Sequence, residues 1–357
     1  MEFYTTKYIN EVIKKQYFEF IQKYYSDILK NPNVYIRLTE EKISQYLDGG
    51  FVKLLNSGTS ALQFALLSLW VWPGDEVILP ANTYAGTAIA VKNIAAIPVY
   101  ADIKLDTFLL DPLDVEKKIT SKTKAIIPVH LYGYQCDMSS FKTISWNIPL
   151  VEDASHAFGW QIQNQKIGTF GDIGIFSAHQ SKNFWTLGNG GIFVTKNKNT
   201  FEKLEQYIYP DNGSIEVLKS RRTPANIWAF DALVLYIKLW YIENLRESNL
   251  ELFFDYKKRC DLFDVDTPYI SQGHIPFVRH FTVLSHKKSV LIQEQLSRAF
   301  YDIDLNISPV FSWNKSREEL KNTSIFFQKN TSLHFYYGVS QKEKDAYFRK
   351  LSHILWR

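Results

Sequence analysis

Short apolar runs alternate with helix-like patterns between residues 50 and 195. Runs such as FVKLL, EVILP, AIIPVH and DIGIFSA predict strands, while NSGTSALQFALLSLW and residues 113–119 predict helices. Strands that are apolar along their whole length are typical of parallel sheets covered by helices on both faces. We therefore predict an α/β fold on a mostly parallel sheet, in which ligands bind beyond the carboxyl ends of the strands.

Long helices follow from about residue 199. Residues 226–245 are apolar or aromatic almost all round a helix, which indicates burial in a subunit interface, between domains or within the chain's own fold. We predict a large α/β domain over residues 1–240 and a smaller C-terminal α+β domain over residues 241–357.

The C-terminal region mixes β-like runs with helical patterns. HFTVLS, DLNISPV and SLHFYY are β-like, and a helix is predicted near residues 287–300. A terminal helix is predicted to open with a capping box of Ser340 and Glu343.

The composition fits an ordinary soluble globular protein. The 357 residues are 46% hydrophobic and 22% charged, and the net charge of +4 without like-charged blocks gives little support to a nucleic-acid partner. Cys136 and Cys260 form neither a disulfide framework nor a metal motif. No signal-peptide pattern opens the sequence, and the most apolar run, ALQFALLSLWVW, is too short to span a bilayer. We expect a cytoplasmic protein.

Several segments carry candidate chemistry at predicted strand ends. In NSGTSA, Gly58 permits a turn and Thr59 and Ser60 start a helix, whose positive N-terminus favours an anion such as phosphate. A helix cap without a ligand is the alternative. In ANTYAGT, Tyr84 could lie flat against an aromatic cofactor ring, although the chain has 21 tyrosines.

A carboxylate and a lysine complete the set of candidates. Asp153 follows the strand IPLVE and could bond a protonated ring nitrogen, with His156 facing the same ligand; a cap and a satisfied histidine are the alternative. Ser177 could hold a phosphate while Lys182, among apolar residues and followed by GNGG, reaches an aldehyde. A loop serine and a solvated lysine remain open. Together, these parts match the needs of pyridoxal phosphate (PLP).

The motifs resemble, in order over residues 50–195, those of the DegT/StrS family of PLP-dependent sugar aminotransferases, which have the aspartate-aminotransferase-like fold. NSGTSALQFAL is similar to the family's SSGTAALHLAL, TKAIIPVHLYG is near its consensus, and VEDASHAFG, GTFGDIGIFSAHQSKN and GNGG are similar to EDAAQA, GSFGDIGCFSFHxxKN and GEGG. The C-terminal LHFYYGVSQKEKDAYFRKL is similar to LPLYPGLTEEE and its following helix.

The resemblance implies a role for each candidate residue. It makes Lys182 the lysine that bonds the cofactor aldehyde, Asp153 the partner of the pyridine nitrogen, and His156 a neighbour of the ring hydroxyl. Tyr84 becomes the ring platform. The phosphate-cradle positions fall on Gly58, Thr59, Ser60 and Ser177.

Asn226 resembles the asparagine of the family's GxN, which reaches the cofactor of the neighbouring subunit in a homodimer with shared active sites. Three positions depart from the family pattern. Pro224 replaces the glycine of GxN, Trp228 replaces an arginine, and Asn189 replaces a glutamate. These changes leave a substrate or amino-donor contact open.

The resemblance implies amino transfer from L-glutamate to a keto sugar, most simply a nucleotide-linked 3-keto or 4-keto deoxysugar, in amino-sugar biosynthesis. One alternative is a PLP/PMP-dependent sugar dehydratase or deoxygenase, a branch in which histidine replaces the lysine. The other is a non-catalytic sensor that keeps the fold.

Overall fold

The computed structural model describes residues 11–180, 182–208, 225–260, 265–267, 274–275, 280–285, 320–323 and 330–334. The helices are α1 (Glu11–Lys30), α2 (Pro32–Tyr46), α3 (Gly58–Ser68), α4 (Ala85–Asn93), α5 (Pro112–Lys118), α6 (Met138–Ile144), α7 (Lys198–Tyr207), α8 (Ala229–Leu239) and α9 (Ile242–Cys260). The strands are β1 (Phe51–Leu55), β2 (Glu76–Pro80), β3 (Ile97–Ala101), β4 (Thr123–Ile126), β5 (Val151–Asp153), β6 (Gln161–Ile162), β7 (Gln165–Lys166), β8 (Ile173–Ser177), β9 (Gly191–Thr195), β10 (Val265–Asp266), β11 (His274–Ile275), β12 (His280–Ser285) and β13 (Asn330–His334).

A mostly parallel sheet forms the centre of the fold, as predicted. Its strands follow the order β3-β2-β4 and β1-β9-β8-β5, and parallel bridges from Ile126 to Leu150 and from Val129 to Asp153 join β4 to β5. The strand β9 alone runs antiparallel to its neighbours in this sheet. Because β8 leads into β9 as a hairpin, the loop between them lies at the same edge as the carboxyl ends of the other strands.

Two helices that follow strand-end loops begin with side-chain caps that the sequence encodes. The Ser57 hydroxyl accepts a 3.1 Å hydrogen bond from the amide of Ser60 at the start of α3, and the Asp111 carboxylate accepts one from Leu113 at the start of α5. Both residues are favoured at this position because they satisfy amides that have no partner within the helix. The caps fix where the chain turns from each strand-end loop into its helix.

The single helix predicted over residues 226–245 is wrong in its bounds. The helix α8 begins at Ala229 and ends at Leu239, and α9 begins at Ile242. Asn226 lies before α8 in extended backbone, where it bridges Leu55.

The apolar surface of α8 is covered largely by the chain itself. Leu235 and Leu239 join the main core, whereas Leu233 and Ile237 form a second cluster with Ile28 and other residues of α1 and α2. The apolar pattern of this segment therefore does not by itself require a subunit interface.

The C-terminal region contributes a second sheet with the order β10-β12-β13, in which all pairs are antiparallel. The strand β12 coincides with HFTVLS, and β13 ends within SLHFYY. The helix predicted near residues 287–300, the run DLNISPV and the terminal helix with Ser340 and Glu343 lie outside the described residues. The proposed boundary between residues 240 and 241 stays a prediction.

Among the described helices, none combines the length and the apolar character needed to cross a bilayer.

Candidate active site

A cavity of about 410 Å³ opens where the strands β1, β2, β4, β5 and β8 end. Seven of the nine predicted site residues line it: Gly58, Thr59, Tyr84, Asp153, His156, Ser177 and Lys182. These residues come from four separate segments of the chain, which the fold brings together. The other two predicted residues, Ser60 and Asn226, lie elsewhere.

Lys182 lies on the loop of residues 178–190 that joins β8 to β9, which we call the Lys182 loop. Its side chain is half-buried. The next residue, Asn183, donates a 3.1 Å hydrogen bond from its side-chain amide to the carbonyl of Phe158. Phe184 is fully buried and stacks on Phe158 at a centroid distance of 4.0 Å. The loop is thereby fixed to the segment that carries Asp153 and His156.

The Asp153 carboxylate is buried and held from two sides. Its Oδ2 accepts a 2.9 Å hydrogen bond from the Thr87 hydroxyl, and its Oδ1 accepts one from the amide of Ser155. The Thr87 hydroxyl also lies 2.9 Å from that of Thr83. A carboxylate oriented in this way can receive a proton-bearing nitrogen in the cavity.

His156 is oriented by the backbone. Its Nδ1 accepts a 3.0 Å hydrogen bond from the amide of Tyr132. In the neutral ring this contact assigns the proton to Nε2, which becomes a donor. Tyr132 adopts a left-handed conformation with φ of 57°, and this strained turn directs its amide at the histidine.

The start of α3 is packed tightly against the end of β8. A Cβ built on Gly58 would lie 2.9 Å from Cβ of Ser177, a distance that real side chains do not tolerate. Only glycine lets the N-terminal amides of α3 and the Ser177 hydroxyl share one small space. The result is a cradle of donors at a positive helix end, which suits a phosphate group.

Tyr84 lies at the rim of the cavity, immediately before α4, and 67% of its surface is exposed. A Cβ on Gly86 would come within 3.0 Å of the Tyr84 ring. The glycine therefore permits the ring to fold back over the start of α4. An exposed ring in this position can cover a planar ligand.

A buried network below the cavity was not found from the sequence. His130 lines the cavity, accepts a hydrogen bond at Nδ1 from the amide of Cys136, and bonds Glu152 through Nε2 at 2.9 Å. Glu152 also accepts hydrogen bonds from the amides of Gly168 and Gly171. Burial raises the pKa of the Cys136 thiol, so this cysteine stays a neutral packing group. The spacing of these residues along the chain gave no signal for the network.

Ser60 and Asn226 line an adjoining depression that shares Ser57 and Asn189 with the main cavity. Asn226 is exposed there, beside Trp228, which is 74% exposed. Within the described part of the chain, therefore, Asn226 does not reach the cavity of its own subunit. Ser60 instead contacts Ser57, the cap of α3.

The described residues hold no cluster of histidine, cysteine, aspartate or glutamate suited to a metal ion. The candidate chemistry of this cavity thus consists of an amine, a fixed carboxylate, an oriented imidazole and a cradle for an anion. Thr87 was also missed, because its partner Asp153 lies 66 positions away in the sequence.

Known proteins resemble this chain in both sequence and structure. GDP-perosamine synthase of Escherichia coli O157:H7 is 39% identical over 171 residues, 47% of either chain, so the match spans about half of that relative. The dTDP-3-amino-3,4,6-trideoxy-alpha-D-glucose transaminase of Streptomyces venezuelae is 30% identical over 281 residues, which cover 76% of this chain and 74% of the relative.

The crystal structure of Streptomyces venezuelae DesV in complex with a ketimine intermediate superimposes with a TM-score of 0.83. It is 26% identical and covers 97% of both chains, which confirms the predicted α/β aminotransferase-like fold. Solved structures with the same fold hold PLP or PMP. Residues 14–351 match the DegT/DnrJ/EryC1/StrS aminotransferase family, and the chain belongs to this family.

Proposed function

We propose that the protein is a PLP-dependent aminotransferase that moves an amino group from L-glutamate to a nucleotide-linked 3-keto or 4-keto deoxysugar. The observation that carries the proposal is the convergence of Lys182, Asp153 and the start of α3 on one cavity. Amination of sugars agrees with the names of the relatives. A cytoplasmic location, and the absence of nucleic-acid and membrane partners, remain predictions.

The residues present fit PLP. The cradle at Gly58, Thr59 and Ser177, which a Cβ at position 58 would close, suits the phosphate. Asp153, fixed by Thr87, suits the pyridine nitrogen. When bound, PLP supplies an aldehyde that carries the amino group and a ring that withdraws electrons.

The chain's own groups then perform the proton transfers and orientation. The Lys182 amine would move a proton from the donor carbon to C4′ of the cofactor, and in the second half of the reaction from C4′ to the sugar carbon. Asp153 would keep the ring nitrogen protonated through a charge-assisted hydrogen bond. His156 would donate from Nε2 to the ring hydroxyl, and Tyr84 would cover the ring face against water.

Two alternatives remain weaker. Removal of a sugar hydroxyl is the work of a family branch in which histidine replaces the lysine, whereas this chain has Lys182. A non-catalytic sensor would have no need for an amine, a fixed carboxylate and an oriented imidazole in one cavity.

We also propose a homodimer with shared active sites. Asn226 is exposed outside the cavity of its own subunit, which supports a role at the cofactor of a second copy. The exposed ring of Trp228 beside it gives that face apolar surface. The apolar residues of α8 are covered largely by the chain itself and do not supply this interface.

The proposed function is tested with purified, PLP-loaded protein, L-glutamate and a panel of nucleotide-linked 3-keto and 4-keto sugars. We expect one position and one nucleotide to dominate, with the aminated sugar identified by mass spectrometry. Formation of a deoxygenated sugar without nitrogen would support the dehydratase instead. Binding of PLP and sugar without any turnover across the panel would support the sensor.

A further inference from the structure

Asp231 holds the C-terminal half of the Lys182 loop, although it belongs neither to the loop nor to the proposed cofactor contacts. Asp231 lies in the first turn of α8, 49 positions after Lys182 in the sequence. Its Oδ1 accepts hydrogen bonds from the Thr186 hydroxyl at 2.7 Å and from the Gly188 amide at 3.1 Å. The same hydroxyl also lies 2.9 Å from the backbone carbonyl oxygen of Asp231, so the two acceptors share its single hydrogen.

Backbone hydrogen bonds also cross the loop, and among them the amide of Gln180 donates to the carbonyl of Gly188 at 3.2 Å. The amide of Ala178 donates to the carbonyl of Gly190 at 2.8 Å, and the amide of Thr186 donates to Ala178 at 2.9 Å. Thr186 is fully buried. A buried hydroxyl that donates to a carboxylate makes a stronger bond than a neutral pair. Asp231 thereby fixes the loop four residues after Lys182.

The hydrogen bond from the Gly188 amide to Asp231 is the one that restrains the loop backbone next to the cavity. A Cβ at this position would meet nothing closer than the Asp231 carboxylate oxygens at 3.7 Å. Packing therefore restrains the glycine weakly, and glycine has the largest backbone freedom. The next two residues, Asn189 and Gly190, line the cavity together with Lys182. Movement at Gly188 would be transmitted to the cavity wall.

We infer that Asp231 is a positioning residue that holds the Lys182 loop in the geometry in which the amine meets the cofactor. The inference rests on the proposed function, because the task of the loop is to present Lys182. The negative charge of Asp231 also lies at the N-terminus of α8, where it stabilises the helix. Asp231→Asn separates the two effects, since the amide oxygen still accepts hydrogen bonds while the charge is lost.

Hydrogen exchange of the cofactor-free protein tests the positioning without any turnover. In Asp231→Ala we expect exchange of peptides covering residues 178–190 to speed up about tenfold or more. Asp231→Asn, whose amide oxygen still accepts both hydrogen bonds without the charge, should lose much less protection than Asp231→Ala. Thr186→Val should resemble Asp231→Ala, and Thr186→Ser, which keeps the hydroxyl, should restore protection.

Thr195→Val is the matched control. The Thr195 hydroxyl is also buried and donates to the carbonyl of Asp172 at 2.8 Å, but it lies at the opposite end of β9. This variant should lose a comparable bond and leave exchange of the Lys182 loop unchanged.

A second measurement reports geometry at the amine. The variants are mixed with PLP and reduced with borohydride, and the fraction of Lys182 fixed to the cofactor is read by peptide mass spectrometry. We expect this fraction, at limiting PLP, to fall about tenfold in Asp231→Ala and to recover in Asp231→Asn. Wild-type exchange and fixation in Asp231→Ala, or equal losses in the Asn and Ala variants, would overturn the inference. Loop exchange that responds as expected in a protein that aminates no sugar would leave the positioning intact and reject the proposed function alone.

Discussion

The hydroxyl of Thr87 donates a 2.9 Å hydrogen bond to Oδ2 of Asp153, across 66 positions of sequence. Thr87 lies in the first turn of α4, and Asp153 ends β5. The second oxygen of the carboxylate accepts the amide of Ser155. The carboxylate that we assign to the cofactor nitrogen is therefore aimed by two donors, one of them on a different element.

Thr87→Val should lower kcat about tenfold, because a hydrogen bond to a charged group typically contributes about 1.5–3 kcal/mol. Asp153→Asn should lower kcat much further, since a neutral amide cannot hold the ring nitrogen protonated. Steady-state kinetics with glutamate in excess provides the measurement. Near-normal rates in Asp153→Asn would reduce Asp153 to a structural cap, and Thr87→Ser should retain most of the activity.

Gly58→Ala should weaken PLP binding by about tenfold or more. The added methyl would stand 2.9 Å from Cβ of Ser177, so the start of α3 must move away from β8 and the cradle must widen. Fluorescence titration of the cofactor-free protein gives the dissociation constant. Gly49→Ala is the control: its Cβ meets nothing within 4 Å but its φ is 94°, so it should cost stability and leave PLP affinity unchanged. Unaltered affinity in Gly58→Ala would argue against the phosphate site.

Lys238→Met should raise the free energy of unfolding at pH 7. Lys238 is almost fully buried, with Nζ 3.1 Å from the ring centroid of Trp185, and burial lowers its pKa well below the ordinary value. At pH values between this lowered pKa and the value near 10.4 in the unfolded chain, the unfolded chain binds more protons than the folded chain. Stability therefore rises with pH across this window in the wild type.

The variant should lose this rise and gain about 1 kcal/mol or more at pH 7, as is often seen when buried charges are replaced by apolar side chains. Urea unfolding at several pH values is the measurement. Lys122→Met, at an exposed position, should leave both stability and its pH dependence near the wild type. A less stable Lys238→Met protein with an unchanged pH slope would show that the amine is well solvated or paired.

Mixed dimers test the shared active sites. Lys182→Ala and Asn226→Ala chains should each be impaired alone. Each shared site would combine Lys182 of one chain with Asn226 of the other. A dimer of one variant chain of each kind would therefore contain one site with neither substitution and one site with both. Under subunit exchange, such dimers should recover up to roughly half of the wild-type activity. An active monomer in sedimentation, or no recovery on mixing, would remove Asn226 from the partner's site.

The sheet and its flanking helices could be predicted because apolar runs and caps are local signals. FVKLL and EVILP coincide with β1 and β2, DIGIFSA contains the whole of β8, and residues 113–119 fall on α5 with a shift of one residue. The break between α8 and α9 could not be predicted, because residues 239–242 contain neither glycine nor proline. Tertiary packing decides the end of that helix.

In the site, too, local motifs could be predicted from the sequence and long-range contacts could not. Seven predicted residues meet in the cavity because their motifs sit at the ends of strands. Thr87, Glu152 and Asp231 were missed because their partners lie 16 to 66 positions away, and no periodic pattern reports such contacts. Asn226 was found only through the family resemblance, and its role remains a prediction.

Transfer of nitrogen from glutamate tests the central claim most directly. PLP-loaded protein is incubated with L-[15N]glutamate, freed of excess donor, and then given the keto sugar in a single turnover. We predict loss of the cofactor's visible absorbance with glutamate, one 2-oxoglutarate per active site, and the 15N label in the sugar product. Folded Lys182→Ala should do none of these. Label-free product, or equal turnover by Lys182→Ala without added amine, would contradict the account.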